Sequence, residues 1–475
     1  MGNPRTGVVA GGLAAEFMGE SLGDARLDER LQRIVSLAAP EPSDSFPEQM
    51  VSVADREALY RFLTNPKVTM AGVLSGHLHQ THERVRAHPV IRIVHDTTTF
   101  HFDGARTGLG VLRGGATGFL GHVALAITAD DTREPLGVLG VHPYIHRDAV
   151  AHQGMTPSQR VLATRAKPRA AKESARWEQM AIRVSAALPD GVCALHVMDQ
   201  EADDYDLLAA LHHAQLRYVI RAAPQRQTTE AKQGVKDVLA TQPATVFRTV
   251  PLTPRSPKTA VRTQGRHPAR VERDATLHIR WGRITFGRRE YSDSTTPTLS
   301  VYAVHVVEPA PPHGDAPIEW MLLTSDPVQT VEDATAVVDH YRARWMIEEY
   351  FKALKTGCAF ETRQLTTYAG LVRALAVFIP LAWRLLVLRH LGRATTPLPI
   401  HHCLDPEQQL LLRRLLRQRR YQLPPRPTVR DAMLGIAALG GHITNNGLPG
   451  WLVLGRGLTR FLDAEVGWHL ARTEM

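Results

Sequence analysis

Residues 13–85 alternate apolar and polar positions with the period of an α-helix. Apolar residues recur at helical spacing at Leu22, Leu27, Leu31, Ile34 and Val35, and the segment 58–63 continues the pattern. Such spacing places the apolar side chains on one face of each helix. The pattern therefore predicts a helical N-terminal region over 13–85.

After Pro89 the pattern changes to short apolar runs that are separated by turn-forming residues. The strand-like runs are 90–94, 122–128, 135–144 and 192–198, with helical stretches at 171–187 and from about Asp203. Strands followed by a helix and a further strand are typical of an α/β or mixed α+β core. We therefore expect one mixed sheet with helices packed on it.

Between about 222 and 319 the chain is rich in Thr, Arg, Pro and Gly and carries the strand-like runs 277–283 and 299–306. The segments before and after this stretch resemble parts of one core. We therefore interpret 222–319 as a β-rich insertion. From Val331 helical patterns resume and run to the C-terminus.

The most apolar long stretch, 369–389, carries three arginines and a central proline, Pro380. Charged side chains are costly in a bilayer, so the stretch indicates a buried or dimer-interface helix rather than a membrane span. The N-terminus lacks the charged, apolar and cleavage segments of a signal peptide. We therefore expect a cytoplasmic protein that does not engage a membrane.

The net charge of the chain indicates what kind of molecule it binds. The 475 residues contain 56 Lys and Arg against 47 Asp and Glu, a net charge of +9, which favours a polyanionic partner. Only three cysteines are present, and none forms a C-x-x-C pair. This count excludes a disulfide scaffold and a zinc ribbon and indicates a reducing compartment.

Two carboxylates, Asp96 and Asp199, follow predicted strands. Ligand sites in α/β sheets lie outside the carboxyl ends of strands, so these acids could converge on a metal ion. Aspartate after a strand is also a common turn former or helix cap. The two positions alone leave both interpretations open.

A third acid lies on a basic helix face. At about 100° per residue, a single arc of about 80° holds Tyr341, Arg344, Glu348, Lys352 and Lys355. The opposite arc is apolar and would pack on the core. A solvated face with a Glu348–Lys352 pair is the simpler explanation. A carboxylate among cations also suits a metal ligand within a phosphate-binding face, and three acids together indicate two-metal phosphoryl transfer.

The spacing Tyr341-x2-Arg344-x3-Glu348-x6-Lys355 resembles the signature of the insertion-sequence-four family of DDE transposases. The segments around both aspartates, 95–100 and 199–203, are also similar to the family's, although Gln200 stands where the family often has Arg. Further similarity is found, in order, at 21–31, 58–66, 320–325 and 436–442. The resemblance therefore covers nearly the whole chain.

The resemblance implies an RNase H-like catalytic core at 76–368 that contains the insertion. It also implies a helical DNA-binding domain at 1–75 and a helical dimerisation domain at 369–475. Asp96, Asp199 and Glu348 would be the catalytic, metal-binding residues. Oxygen ligands favour Mg²⁺, with Mn²⁺ as a substitute, and two ions are expected. Members of the family cut the transposon ends through a hairpin intermediate and insert the freed 3′-hydroxyl into target DNA.

The same resemblance implies which residues contact DNA. Tyr341, Arg344, Lys352 and Lys355 would hold phosphates near a flipped base, and Trp320 would stack on that base. Arg221 would be a further phosphate contact, and the N-terminal helices would contact end repeats through Arg26, Arg30 and Arg61. The expected partners are double-stranded DNA, both terminal repeats and target, and a second copy of the chain.

Two other functions fit parts of this pattern. One is a DNA-binding regulator derived from a transposase, which the intact acids and full N-terminal region disfavour. The other is a structure-selective nuclease that cuts DNA without joining it. Loss of cleavage with retained end binding in Glu348→Gln separates the enzyme from the regulator, and strand joining separates it from the nuclease.

Overall fold

The computed structural model describes residues 13–19, 22–38, 45–50, 52–112, 115–145, 154–156, 158–159, 162–163, 166–229, 233–242, 246–252, 269–313, 315, 317–443 and 447–473. The N-terminal region is helical, as predicted. After a 3-10 turn at Leu13–Phe17 come α1 (Ala25–Ala38), α2 (Phe46–Gln49), α3 (Val53–Thr64) and α4 (Met70–Val85). Ser52 caps the N-terminus of α3, because its side chain accepts a hydrogen bond from the Asp55 backbone N–H, and Thr69 caps α4 in the same way.

The strands form one mixed sheet. Their bounds are β1 (Val90–His101), β2 (Gly110–Val111), β3 (Thr117–Thr128), β4 (Pro135–Tyr144), β5 (Cys193–Met198), β6 (Arg217–Ala222), β7 (Val246–Leu252), β8 (Arg273–Gly287), β9 (Thr298–Val307) and β10 (Glu319–Thr324). The order is β2-β3-β1-β5-β6-β10-β9-β8-β7, with β4 paired to β3. Strands β1, β5 and β6 are parallel, and the other pairs are antiparallel. The strand predictions are confirmed.

One strand is longer than its apolar run. Asp96 was expected where β1 ends, but β1 continues to His101, because Thr97 to His101 pair in register with Gly118 to His122 of β3. Asp96 therefore lies in the middle of a strand, and the expectation of a strand end there is wrong. Asp199 does follow the last residue of β5 directly.

Three helices accompany the central strands: α5 (Glu173–Ala186), α6 (Tyr205–His213) and α7 (Val235–Ala240). The predicted runs 277–283 and 299–306 lie within β8 and β9. These strands and β7 continue the central sheet through β10. The β-rich segment is therefore joined edge to edge with the strands that carry the aspartates.

The predicted signature helix is two helices, α8 (Val331–Ala343) and α9 (Trp345–Lys352), with Arg344 between them and a π-helical turn at Ala353–Gly357. The apolar stripe is confirmed, since its residues are all buried: Ala343, Ile347, Tyr350, Phe351 and Leu354. Tyr341, expected on the polar face, is buried as well.

The C-terminal part is helical, with α10 (Tyr368–Gly392), α11 (Pro406–Gln418), α12 (Val429–Leu439) and α13 (Trp451–Thr473). Helix α10 is long and apolar enough to span a membrane, but 89% of its most apolar window is buried in the protein. Arg373 on α10 donates to the carbonyl oxygens of Leu63 and Val68. Helix α10 is thus a core helix, and it shares its hydrophobic core with α1, α3, β1 and β3.

A buried carboxylate joins the N-terminal turn to α4. Arg84 donates to both oxygens of Glu16 at 2.7 and 3.3 Å. His77 Nε2 accepts the Val138 backbone N–H, so the proton of this ring lies on Nδ1, which donates to Glu16. Burial opposes the charge of Glu16, but the hydrogen bond from His77 and the charge of Arg84 outweigh it and lower the pKa of Glu16 to about 2.

We expect this carboxylate to stabilise the fold above about pH 4.5 and to lose that contribution as the pH falls to about 2. A folded-state pKa below the ordinary value of 4.5 means that the unfolded chain binds the proton more tightly. The shift corresponds to about 3 kcal/mol. Urea titrations of Glu16→Gln should show lower stability at neutral pH and a flatter profile between these pH values. In the control Glu57→Gln, which removes an exposed carboxylate paired with Arg61, the acid profile should stay that of the wild type.

Candidate active site

The centre of the candidate site is an arginine shared by two carboxylates. Arg344 lies between α8 and α9, and its guanidinium donates to Asp96 Oδ2 at 2.8 Å and to Glu348 Oε1 at 2.8 Å. Asp96 is 248 residues away in the sequence, whereas Glu348 lies one helical turn after Arg344. The fold therefore brings β1 and the signature helix together at this arginine.

Asp96 is largely buried, with its side chain 14% exposed. Burial raises the pKa of Asp96 to about 6, and the negative charges of Asp199 and Glu348 add to the rise, although Arg344 opposes it. Burial also disfavours the charge of Arg344, but Asp96 and the neighbouring acids outweigh this and raise its pKa. The three predicted acids thus affect one another electrostatically.

Asp199 reaches this site from the end of β5. Its Oδ1 accepts the Glu201 backbone N–H at 2.8 Å, which fixes the carboxylate as the cap of a 3-10 turn. Strand β5 is the parallel neighbour of β1, so the two aspartates lie on adjacent strands. The cap explains why an aspartate suits this position even without a ligand.

The donor chemistry of the three acids fits a hard cation such as Mg²⁺ or Mn²⁺, because every donor is a carboxylate oxygen. Within the part of the chain that the structure describes, no three His, Cys, Asp or Glu side chains are grouped closely enough to hold a metal ion. In this arrangement Arg344 supplies the positive charge between Asp96 and Glu348. The guanidinium of Arg344 is therefore the cation that the acids surround in this structure.

Two aromatic residues form a wall beside Arg344. The half-buried ring of Trp320 on β10 meets Tyr341 on α8 edge to face, with centroids 5.5 Å apart. The contact explains why Tyr341 is buried. The structure thus places Trp320 next to the signature helix, and its stacking on a flipped base stays a prediction.

The two lysines of the signature lie differently. Lys355 Nζ donates to the Thr99 carbonyl oxygen on β1 and lies 3.7 Å from Glu361. The simple helical interpretation expected Lys352 to pair with Glu348, but the two side chains do not pair. Lys352 Nζ donates to Glu349 at 2.6 Å and lies over the Trp345 ring. Lys355 is therefore tied to the strand of Asp96, whereas Lys352 lies on the outer side of α9.

The remaining predicted DNA contacts lie on β6 and on the N-terminal helices. Arg221 on β6 donates to the Glu319 carbonyl oxygen at 3.4 Å. Arg26 and Arg61 are exposed and pair with Asp24 and Glu57 on their own helical segments. Arg30 is half-buried on α1. Because Ile220 pairs with Met198, Arg221 lies on the strand next to Asp199, whereas the other three arginines lie on the N-terminal helices.

A row of buried histidines, which the sequence analysis missed, lies next to Asp96. His95 Nε2 and His196 Nδ1 are 2.8 Å apart, and His196 Nε2 also bonds Ser185 on α5. Burial lowers the pKa of His196 to about 4 and that of His95 well below its ordinary value. These rings are neutral and fully buried, so they support β1 and β5 rather than contact a substrate. Only their adjacency to the predicted aspartates signalled them.

A second missed feature fixes α9 to the helix behind it. Glu349 accepts hydrogen bonds from Lys352 and from Arg389 on α10, and Arg389 also lies over the Trp451 ring at 4.2 Å. Because Glu349 is adjacent to Glu348, this ion pair holds the signature helix in place. Its sequence signal was weak, since Arg389 lies in an apolar stretch.

Two family models match this chain. Residues 11–68 match a model described as Transposase DNA-binding, and residues 157–379 match one described as Transposase DDE domain. The first range contains Arg26, Arg30 and Arg61. The second contains Asp199 and the signature helix, but not Asp96, whose place in the site rests on its contact with Arg344.

Among solved structures, the chain resembles the cryo-EM structure of the piggyBac transposase synaptic complex with hairpin DNA. The two are 10% identical, with a TM-score of 0.35, over 79% of this chain and 69% of that chain.

The two matched regions follow one another in the order of a DNA-binding domain and a catalytic domain. The catalytic match covers two of the three acids that surround Arg344. The chain is therefore a DDE transposase, a metal-dependent enzyme that cleaves and transposes DNA.

Proposed function

We propose that the protein is a cut-and-paste transposase of the insertion-sequence-four family, similar to the transposase of transposon five. It would cleave transposon ends through a hairpin intermediate and transfer the 3′-hydroxyl ends into target DNA. The observation that carries this proposal is the contact of Arg344 with both Asp96 and Glu348, since it unites the signature helix with the first aspartate.

The sheet supports an RNase H-like core. The order β4-β3-β1-β5-β6 has three antiparallel strands followed by two strands parallel to β1. Asp96 and Asp199 lie on or after its two adjacent central strands, and Glu348 lies on a helix packed against β1. We propose 76–368 as the catalytic domain, with 1–75 binding DNA and 369–475 providing dimer contacts.

Asp96, Asp199 and Glu348 would hold two Mg²⁺ ions. Bound there, the ions would activate a water or a 3′-hydroxyl and stabilise the leaving oxygen. The protein's own groups position the DNA. Arg344 and Lys355 would bind phosphates beside the acids, Tyr341 and Lys352 would extend that contact, and Trp320 would stack on an unpaired base.

On β6, beside the strand that Asp199 follows, Arg221 would contact phosphate at the edge of the site. The arginines of α1 and α3 would bind the terminal repeat. The chain would work as a homodimer in the cytosol, because each end would be bound by one subunit and cut by the other.

The test is excision from a plasmid that carries the gene's own flanking DNA, followed by sequencing of the repaired donor and the target. We expect precise excision, insertion elsewhere, and a hairpin species visible on a denaturing gel. Cleavage without joining would indicate a nuclease. Soluble protein that binds the flanks but never cuts them would indicate a regulator.

A further inference from the structure

A cluster of positive charge without nearby acids lies far along the chain from the active site, at the end of α11. Between Gln408 and Arg430 the sequence contains no Asp, Glu or Lys. It contains seven arginines, which we call the α11 basic surface: Arg413, Arg414, Arg417, Arg419, Arg420, Arg426 and Arg430. The chain's net charge is +9, so this short segment supplies most of the excess.

The fold presents these arginines to solvent. Leu412 and Leu416 are buried and fix the inner face of α11. Arg413 is half-buried, the other six arginines are exposed, and Leu410 in the same arc is 45% exposed. Of the side chains that the structure describes, no carboxylate lies within ion-pair distance of any of the seven, whereas Arg26, Arg61 and Arg86 each pair with a nearby acid.

One arginine occupies a position where its side chain costs stability. Helix α11 ends with a Schellman motif, in which the Tyr421 N–H donates to the Leu416 carbonyl and the Arg420 N–H to the Arg417 carbonyl. Arg420 therefore adopts φ +55°, a left-handed conformation that favours glycine. The structure gives its side chain no intramolecular hydrogen bond or ion pair among the described residues. A strained arginine without a structural partner indicates a role in binding.

A contact with an aromatic ring orients another arginine of the α11 basic surface. The Arg414 guanidinium lies over the ring of Trp468 on α13, 4.5 Å from its centroid. This contact restricts the side chain without neutralising it. Arginine, unlike lysine, offers a planar fork of donors that matches phosphate oxygens, and the surface contains only arginine.

We propose that the α11 basic surface binds the phosphate backbone of duplex DNA without reading sequence. It spans α11, the segment that follows it and the first turn of α12, outside both matched regions, and so adds a contact beyond the end-binding helices and the active site. The inference rests on the proposed function only in that the chain works on DNA. The surface would hold DNA other than the terminal repeat, either target or flanking duplex.

The test is the fluorescence anisotropy of a labelled duplex of unrelated sequence, titrated with the full chain in EDTA over a range of salt concentrations. In Arg413→Gln/Arg417→Gln/Arg420→Gly we expect binding to weaken about tenfold or more. The slope of log affinity against log salt should fall by about 0.9 for each phosphate that the variant no longer neutralises. The control Arg86→Gln, an exposed arginine paired with Glu83, should keep the wild-type slope.

The single variant Arg420→Gly gives effects of opposite sign on stability and binding. Glycine relieves the positive φ, so the melting temperature should rise while duplex affinity falls. A merely structural role predicts the higher melting temperature with unchanged affinity, and this result would overturn the proposal. Tighter binding to single-stranded RNA than to duplex DNA would overturn it as well.

The assay needs no metal and no cleavage. It therefore separates this proposal from the catalytic one. Salt-dependent duplex binding through α11 can be measured in a protein that fails to excise, and excision can occur in a protein whose α11 variants bind normally.

Discussion

Replacing Glu348 with Gln is expected to lower excision and strand transfer by at least about 10³-fold while leaving end binding intact. The amide keeps the size of the side chain and its place on α9. It removes the negative charge that a divalent cation requires. Asp96 still holds Arg344, so the link between β1 and the signature helix is retained. Excision from the donor plasmid measures the first effect, and a gel shift with flanking DNA measures the second.

Glu349→Gln is the matched control, because it is the same substitution one residue away on the same helix. It weakens the ion pairs with Lys352 and Arg389 but leaves the three acids unchanged. We expect at most about a tenfold loss with unchanged metal dependence. If Glu348→Gln excised DNA as well as the wild type does, Glu348 would be excluded as a metal ligand. Equal losses in both variants would indicate that α9 had simply moved.

Replacing Arg344 with Ala is expected to destabilise the protein by about 2 to 4 kcal/mol when no divalent metal is present. The substitution leaves Asp96 and Glu348 without their shared cation, close to Asp199. Their side chains retain some exposure, 14% and 31%, so the cost lies below that of a fully buried pair. Chemical denaturation followed by tryptophan fluorescence measures this change. Added Mg²⁺ should raise the denaturation midpoint more in the variant than in the wild type.

Arg342→Ala supplies the comparison for this prediction. Arg342 lies two residues earlier on α8 and is similarly buried, but its partner Asp339 keeps the Arg248 ion pair at 2.7 Å. We expect a cost below about 1 kcal/mol and no added response to Mg²⁺. If both variants were destabilised equally with no metal response, Arg344 would be an ordinary structural arginine rather than the counter-ion of the acids.

The parts of the fold that depend on local pattern were predictable. The helices of the N-terminal region and the apolar stripe of the signature helix follow from periodicity, because burial of one face requires it. The extension of β1 to His101 was not predictable in the same way. Residues 97–101 are polar apart from Phe100, and they become strand only because β3 pairs with them.

The break at Arg344 and the π-helical turn at Ala353–Gly357 show the same limit. A regular helix would place Tyr341 on the polar face, and its packing against Trp320 comes from β10, which only the folded sheet brings there. The i,i+4 spacing allowed either Lys352 or Arg344 to pair with Glu348. Arg344 forms the pair because Asp96 also binds its guanidinium, in a position from which it reaches both carboxylates.

Residue type and spacing were enough to identify the candidates for chemistry, because they encode charge and helical position. They marked three acids and a signature helix, and they predicted the buried apolar helix at 369–389. Which of these residues meet depends on the folded chain. Asp96 and Arg344 are 248 residues apart, as are Arg92 and His340, so only the sheet order and the packing of α8 and α9 on β1 bring them into contact. Contacts between distant segments depend on the whole chain's burial and pairing, which no local pattern contains.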